Sequence, residues 1–389
     1  MRKAIGYLIT GTWLFCLSWT LASCSRDAED PDVPSGGEAA LTVGFKIPTR
    51  AAEGYEDGDT YENYIDIAGG NYRIYFFDTD DKFIARFAPS GFLAADGSDY
   101  RQYSVLGKAP DALVEHNSFK MVVLANWPKY PEDSDVNATL EEGVTTIADI
   151  CDASWAQYGC LTDGSGTNPA AVALNPDAGR LMPFYGVREY IDVAFKPGVE
   201  TKLSEPVALL RAMAKVEVIL ETDDYFDLSF SSLKIDRYNA RGYCAPKDVF
   251  HQDSYDHDGN WAADYTRTLH LVGGQNDSGE KELSCRRVRR WDENGKRYEK
   301  WAAYLPEYRN IGAGDAYSCI KAKFDNIQEP YTIFFANYSA SGQTDNSNGS
   351  RLNIERNNIY RFTVTVRDSR LMVNVRNWKY AYDNHYTFD

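Results

Sequence analysis

Residues 41–48 read Leu-Thr-Val-Gly-Phe-Lys-Ile-Pro, and this stretch decides the fold class of the chain. Apolar side chains alternate in it with polar or small ones, which is the period of a β-strand that buries one face. The stretch therefore predicts a strand that covers a hydrophobic core. The side chains on its buried face are those of Leu41, Val43, Phe45 and Ile47.

Strand patterns of the same kind recur along most of the chain. Residues 72–78 and 82–87 form a hairpin pattern around a polar turn, and 119–125 (FKMVVLA) has the composition of a buried central strand. A short helix is predicted near 146–155. Further strand patterns lie at 208–221, 228–238, 301–305, 316–324, 331–338, 359–366 and 371–375. These patterns predict an all-β protein with two sandwich domains, divided near residue 200 after the pair Pro197-Gly198.

One hairpin is predicted residue by residue. Asn294-Gly295 is the favoured pair for a type I′ turn, which needs positive φ at both positions. Two opposite-charge pairs and two apolar pairs then face each other across the strands. Arg289 opposite Lys300 is the one pair of like charges. This register assigns the basic run 286–300 to solvated hairpin faces. The four agreeing pairs are Asp292–Arg297, Trp291–Tyr298, Arg290–Glu299 and Val288–Trp301.

The composition excludes several classes of protein. The chain has 389 residues, of which 43% are hydrophobic and 25% charged, so it has the composition of a globular protein and the length of two domains. Its net charge of −16 repels phosphate backbones, and this excludes nucleic acid as a partner.

The N-terminus has the pattern of an export signal. Arg2 and Lys3 precede an apolar run, which ends in Leu21-Ala22-Ser23-Cys24. This ending resembles the cleavage site of bacterial lipoproteins, in which the cysteine is acylated and becomes the first mature residue. The alternative is an uncleaved membrane anchor. The predicted organisation is a signal peptide at 1–23, an acidic tether at 24–40, an N-terminal sandwich at 41–200 and a C-terminal sandwich at 201–389.

Signatures of catalysis and metal binding are missing from the sequence. Residues 254–260 resemble part of a calcium loop, but Tyr265 stands where the loop needs a glutamate. His251 and His257 do not have a zinc spacing. We therefore expect no enzyme activity, no metal and no cofactor. The cysteines beyond Cys24 are expected to be buried small hydrophobes with at most one bridge, whose pairing stays open: Cys151, Cys160, Cys244, Cys285 and Cys319.

With the segments placed in this order, the chain resembles the fimbrillin superfamily of Bacteroidales pili. The likeness is carried by LTVGFKIP with Thr49-Arg50-Ala51 after it, and by FKMVVLAN (119–126), MPFYG (182–186), ALLRAMAKVEV (208–218), LKIDRYNARGYCAP (233–246), YLPE (304–307), ERNNIYRFTVTV (355–366) and LMVNVRNW (371–378). The resemblance implies two transthyretin-like β-sandwiches in tandem. It also implies a lipoprotein subunit of a surface fimbria that supports adhesion, carrying palmitate and diacylglycerol on Cys24 in the outer membrane.

The resemblance further implies a mechanism of assembly. An arginine-specific protease would cut between Arg50 and Ala51 and release residues 24–50, after which the subunit would join an extracellular fimbria. A C-terminal strand of a neighbouring subunit would then fill the vacated groove by donor-strand exchange. The expected donor residues are Leu371, Val373, Val375 and Trp378.

Two alternatives stay open at this point. Anchor and tip subunits of the same superfamily do not all lose their first strand, and the sequence does not separate shaft, anchor and tip positions. A surface lipoprotein of the same fold that binds glycans or host proteins without polymerising is the other alternative.

Overall fold

The computed structural model describes residues 38–48, 61–96, 100–128, 140–165, 169–223, 228–246, 282–325, 327–338, 350–367 and 370–378. Strands dominate these residues, so the predicted all-β class is confirmed. They are β1 Ala40–Pro48, β2 Tyr72–Phe77, β3 Phe83–Arg86, β4 Pro89–Asp96, β5 Tyr100–Lys108, β6 Phe119–Ala125, β7 Gln157–Gly159, β8 Phe184–Tyr190, β9 Glu200–Lys202, β10 Val207–Ala208, β11 Leu210–Arg211, β12 Ala214–Asp223, β13 Phe230–Asp236, β14 Arg241–Tyr243, β15 Glu282–Ser284, β16 Arg286–Glu293, β17 Lys296–Leu305, β18 Cys319–Phe324, β19 Tyr331–Phe334, β20 Ile359–Arg367 and β21 Arg370–Trp378.

The helices are α1 Asp111–Val114 and α2 Ile147–Cys151, with 3₁₀ turns at Ser154–Ala156 and Pro176–Ala178. The predicted short helix corresponds to α2. Thr146 caps it, because its hydroxyl accepts a hydrogen bond from the Asp149 N–H while the Asp149 carboxylate accepts one from the Thr146 N–H. Within the described residues, no helix is long and apolar enough to cross a membrane.

The first hydrophobic core lies between two sheets. One sheet has the order β10-β1-β5-β4, with β9 also paired to β1, and the other has the order β11-β8-β6-β2-β3. All seven residues of β6 are buried, which confirms the predicted central strand. Alternating β-branched and aromatic side chains from both sheets fill the space between them.

The second core lies between two further sheets. The third sheet has the order β16-β17-β12-β20-β21, and the fourth sheet has the order β15-β13-β18-β19. Val216, Val218 and Leu220 of β12 pack there against Ile320 and Phe324 of the facing sheet. The strand pattern read at 208–221 is thus resolved into three strands, of which β12 belongs to this second core.

The segment between the two cores is paired with the first of them. Strands β9 and β10 lie parallel to β1, and β11 pairs with β8. Strand pairing therefore joins residues 200–211 to the first two sheets, and the division at residue 200 stays a prediction. The small pair β7–β14 connects the two halves of the chain again.

The hairpin at Asn294-Gly295 has the predicted turn, with φ of 51° and 71°. The predicted register holds from Asp292–Arg297 back to Arg289–Lys300. The predicted pair Val288–Trp301 is wrong, because a β-bulge between Arg287 and Arg289 places Arg287 opposite Trp301. A bulge adds one unpaired residue and increases the local twist of an edge strand.

The five described cysteines are free thiols, and four of them are buried. Burial raises the pKa of each thiol; for Cys160 it rises to about 12 and for Cys319 to about 11. They act as small apolar side chains, as the sequence predicted, and no bridge joins them.

Candidate functional site: the slot occupied by strand β1

Strand β1 is an inner strand of its sheet. Along one edge it pairs antiparallel with β5 over its whole length, from Ala40–Lys108 to Pro48–Tyr100. Along the other edge it pairs parallel with β9 and then with β10. We call the space between β5 on one side and β9 and β10 on the other the β1 slot.

The face of β1 that was predicted to be buried is fully buried. Leu41, Val43, Phe45 and Ile47 are each 0% exposed and belong to the first core. The Phe45 ring stacks on Tyr103 of β5, with 5.2 Å between ring centroids and 20° between planes. Each fully buried aliphatic or phenyl side chain stabilises the fold by about 1.5–3 kcal/mol. Burial of these four side chains in the slot therefore contributes about 6–12 kcal/mol of stabilising free energy.

The second wall of the slot comes from the segment that connects the two cores. Its Leu203 N–H donates to the Thr42 carbonyl at 3.1 Å, and its Leu209 N–H donates to the Lys46 carbonyl at 2.8 Å. The Thr42 hydroxyl also donates to the Glu200 carboxylate at 2.7 Å. A molecule without β1 would leave these donors, together with those of β5, without their partners.

The first residues described after the gap at 49–60 are anchored to the third sheet by a buried group of charges. Nζ of Lys215 lies 2.7 Å from Oε1 of Glu62 and 2.9 Å from Oε1 of Glu217. Lys300 and Arg361 contact Glu217 at 2.8 and 2.7 Å. We call these five residues the junction cluster.

The two carboxylates of the junction cluster titrate in opposite directions. Burial raises the pKa of Glu62 to about 7, although Lys215 and the Tyr304 hydroxyl counteract this rise. Burial also disfavours ionisation of Glu217, but the charges of Lys215, Lys300 and Arg361 outweigh it and lower its pKa to about 2. Removing one partner of such a buried pair costs about 3–5 kcal/mol. The cluster therefore fixes residue 62 firmly on β12.

A second contact holds the neighbouring residue. The Arg211 guanidinium donates to the side-chain oxygens of Asn63 and Asn357, and all three residues are buried. Its Cζ lies 6.0 Å from the centre of the Phe184 ring. The chain that follows the predicted cleavage position is thus bound at residues 62 and 63, independently of β1.

The predicted donor residues lie in β21, which is paired within the same chain. In its register with β20, Leu371 faces Val366, Val373 faces Val364, and Val375 faces Phe362. Trp378 is paired with Ile359 in the same register. β21 forms one end of the five-stranded sheet of the second core.

Several predicted positions lie outside the described residues. They are Cys24, Arg50, Ala51 and the loop 254–260, together with Tyr265. Pro48, the last residue of β1, is two positions before Arg50. The structure thus describes the predicted released strand and the chain from residue 61 onward, on either side of the predicted cleavage position.

Sequence reasoning did not find the second wall of the slot or the junction cluster. β9 and β10 have three and two residues, too few for an alternation to be recognised. Glu62 lies in an acidic stretch that reads as solvated loop, and nothing local indicates its burial. Lys215 and Glu217 give no signal either, because they alternate with the apolar residues of β12 and share their face with Glu221 and Asp223, which is typical of a solvated face.

No family model and no curated protein matches the chain. Among solved structures, it is similar to the tip fimbrial protein Mfa3 from Porphyromonas gingivalis with C-terminal truncation, at 12% identity and a TM-score of 0.48, covering 88% of this chain and 100% of that one. It is also similar to a candidate cell adhesion protein from Bacteroides uniformis (10% identity, TM-score 0.42, 89% and 99% covered) and to the fimbrial anchor protein Mfa2 from Porphyromonas gingivalis (9%, 0.30, 87% and 98%).

Proposed function

We propose that this protein is a structural subunit of a surface fimbria, exported as a lipoprotein through Cys24 and assembled by donor-strand exchange after a cut between Arg50 and Ala51. The observation that supports this proposal is β1. It is an inner strand with one fully buried face, and Arg50 follows it by two residues. The proposed partners are other fimbrial subunits, the lipid of the outer membrane and an arginine-specific protease.

The proposal follows from what β1 contributes to the fold. Its loss uncovers an apolar groove and leaves unpaired backbone groups on both sides of it. A strand supplied by another molecule repairs both defects at once, since it brings apolar side chains and a backbone edge together. While β1 stays in place, the slot is full and the subunit does not accept a donor.

The anchors at residues 62 and 63 make the cut compatible with a folded subunit. A new N-terminus at Ala51 would lie eleven residues before Glu62, which is bonded to Lys215. The ion pairs of that cluster involve no residue of β1. Cleavage would therefore disconnect β1 from the rest of the chain, which would stay attached to the third sheet through residues 62 and 63.

The donor of the proposed exchange has a competing partner in the monomer. β21 is paired over nine register positions with β20 of its own chain. Donation by Leu371, Val373, Val375 and Trp378 requires this pairing to open, whereas donation by residues 379–389 leaves it intact. Two truncations separate these routes.

The test is digestion of the purified chain with an arginine-specific protease, followed by electrophoresis without boiling. We expect oligomer ladders from the intact chain and none from Arg50→Ala, whereas the control Arg86→Ala, at an exposed position of β3, forms them normally. A synthetic peptide of residues 40–48, added in excess, should refill the slot and suppress the ladders.

Truncation after Trp378 and truncation after Arg370 then identify the donor segment. Loss of ladders with both truncations assigns the donor to residues 379–389, and loss with the second alone assigns it to β21. Ladders that persist in both truncated chains after cleavage would refute a C-terminal donor. Intact chain that is cleaved at Arg50 and stays monomeric would refute polymerisation and favour an anchor or a monomeric surface lipoprotein.

A further inference from the structure

The hairpin formed by β16 and β17 carries positive charge on an acidic protein. Residues 286–300 contain seven lysine or arginine residues and three acidic ones, whereas the whole chain has a net charge of −16. β16 lies at one end of its sheet, and Arg287, Arg289 and Arg290 on it are exposed. The hairpin therefore creates a local field whose sign is opposite to that of the rest of the chain.

On the outer face of the sheet, an arginine stacks on a pair of aromatic rings. Cζ of Arg289 lies 4.3 Å from the centre of the Trp291 ring. Trp291 in turn stacks on Tyr298 across the hairpin, with 4.9 Å between centroids and 11° between planes. This contact orients a guanidinium, whose planar fork of donors matches the oxygens of a carboxylate or a sulfate.

On the opposite face, the hairpin forms one wall of a small polar cleft. Its volume is about 50 Å³, and it is lined by Arg290, Arg297, Glu299, Thr222, Ser229 and two leucines; the Ser229 hydroxyl donates to the Asp325 carboxylate. Glu299 accepts hydrogen bonds from Arg290 at 3.2 Å. Arg287 also approaches Glu299, at 4.0 Å, and Asp292 lies 3.7 Å from Arg297, so these ion pairs place three guanidinium groups beside two carboxylates at the cleft. Since one water needs about 10–15 Å³ of such a volume, the cleft has room for an anionic group of a few atoms.

The backbone of the edge strand is unsuited to the addition of a peptide strand. The bulge at Val288 interrupts the regular register of β16 between Arg287 and Arg289. Bulges and charged side chains on an edge are features that prevent strand pairing. The surface therefore binds through its side chains. Stacking on nucleobases is disfavoured as well, because the Trp291 ring is already in contact with Arg289 and Tyr298.

We propose that the β16–β17 hairpin is a binding surface for a linear polysaccharide that carries carboxylate or sulfate groups. One anionic group enters the cleft beside Arg290 and Arg297, and the next groups along the polymer bind Arg287 and Arg289 at the edge. The interaction does not require assembly into a fimbria, so it holds for the single chain and for a polymer of it.

The test measures binding of fluorescently labelled heparin to the full chain across a series of salt concentrations. We expect the affinity to fall steeply with salt, as it does when charged groups displace counterions. Arg287→Gln with Arg289→Gln should weaken binding about tenfold, since two charge-assisted contacts are lost. Arg287→Gln alone should weaken binding about threefold, because it loses roughly half of the binding free energy that the double variant loses.

A matched control removes the same charge elsewhere. Lys196→Gln with Lys202→Gln changes two exposed cations at and before β9, in the first sheet, and should alter heparin affinity by less than about twofold because long-range charge is screened. Equal losses in both double variants would show that net charge alone is responsible and would overturn the proposal. Binding of polyglutamate or single-stranded DNA as tightly as heparin, or the absence of heparin binding, would overturn it too. Uncharged dextran should not bind.

Discussion

Replacing Phe45 with alanine tests whether β1 seals the first core. The side chain is fully buried, so the substitution leaves a cavity, and changes of this kind cost about 3–5 kcal/mol. Part of this is the stacked pair with Tyr103, since such pairs contribute about 0.5–1.5 kcal/mol. We expect the free energy of unfolding to fall by about 4 kcal/mol, near the middle of that range.

The measurement is urea denaturation followed by tryptophan fluorescence, with Phe92→Ala as the matched control. Phe92 also stacks on Tyr103, at 5.8 Å between centroids, but its side chain on β4 is 37% exposed. The control should therefore cost about 1–2 kcal/mol, because roughly a third of its surface is already in contact with water. Equal losses for the two variants, or a loss below about 1 kcal/mol for Phe45→Ala, would refute the claim that β1 closes the core.

Three further predictions concern other parts of the chain. Cys24→Ser should abolish acylation and partitioning into membranes, because the thiol is the proposed site of the lipid; metabolic labelling with palmitate measures this. Gly295→Val should destabilise the hairpin by about 1–3 kcal/mol, since φ is 71° at this position and a β-branched residue resists it. Thermal melts measure that loss. Glu62→Gln should become more stable relative to the native protein as pH rises from 5 toward 7.5, since the pKa of Glu62 is raised from 4.5 to about 7 and the native state loses its extra proton over that range. Urea titrations at the two ends of the range measure the difference.

Each of these has an outcome that contradicts it. Palmitate incorporation that persists without Cys24 would assign the lipid elsewhere. An unchanged melting temperature for Gly295→Val would count against the type I′ turn. A stability difference between the native protein and Glu62→Gln that stays constant with pH would show that Glu62 has an ordinary pKa.

The sequence predicts β1 well because the strand itself carries the information. Its apolar side chains alternate with polar or small ones because only one face of the strand is fully buried. This pattern can be recognised without any distant partner. The same holds for β6, whose uninterrupted apolar run is typical of a strand buried on both sides. Asn294-Gly295 likewise fixes its turn through local backbone conformation.

The features that sequence analysis missed depend on distant residues. The short strands β9 and β10 form because β1 offers a free edge about 160 residues earlier in the chain. Glu62 is buried because Lys215 of the third sheet forms an ion pair with its carboxylate, at 2.7 Å. The bulge at Val288 interrupts the register without changing the apolar pattern, so extrapolation from the turn went wrong by one residue.

The length of the pairing between β1 and β5 has a mechanical consequence. The hydrogen bonds of this ladder run across the strands, so a pull along the strand axis loads them together in shear instead of opening them one after another. A donor strand seated in the same slot and pulled toward the next subunit would be loaded in this way. Extraction would then require many bonds to break at once, and a filament joined through such slots would resist tension far better than peeling.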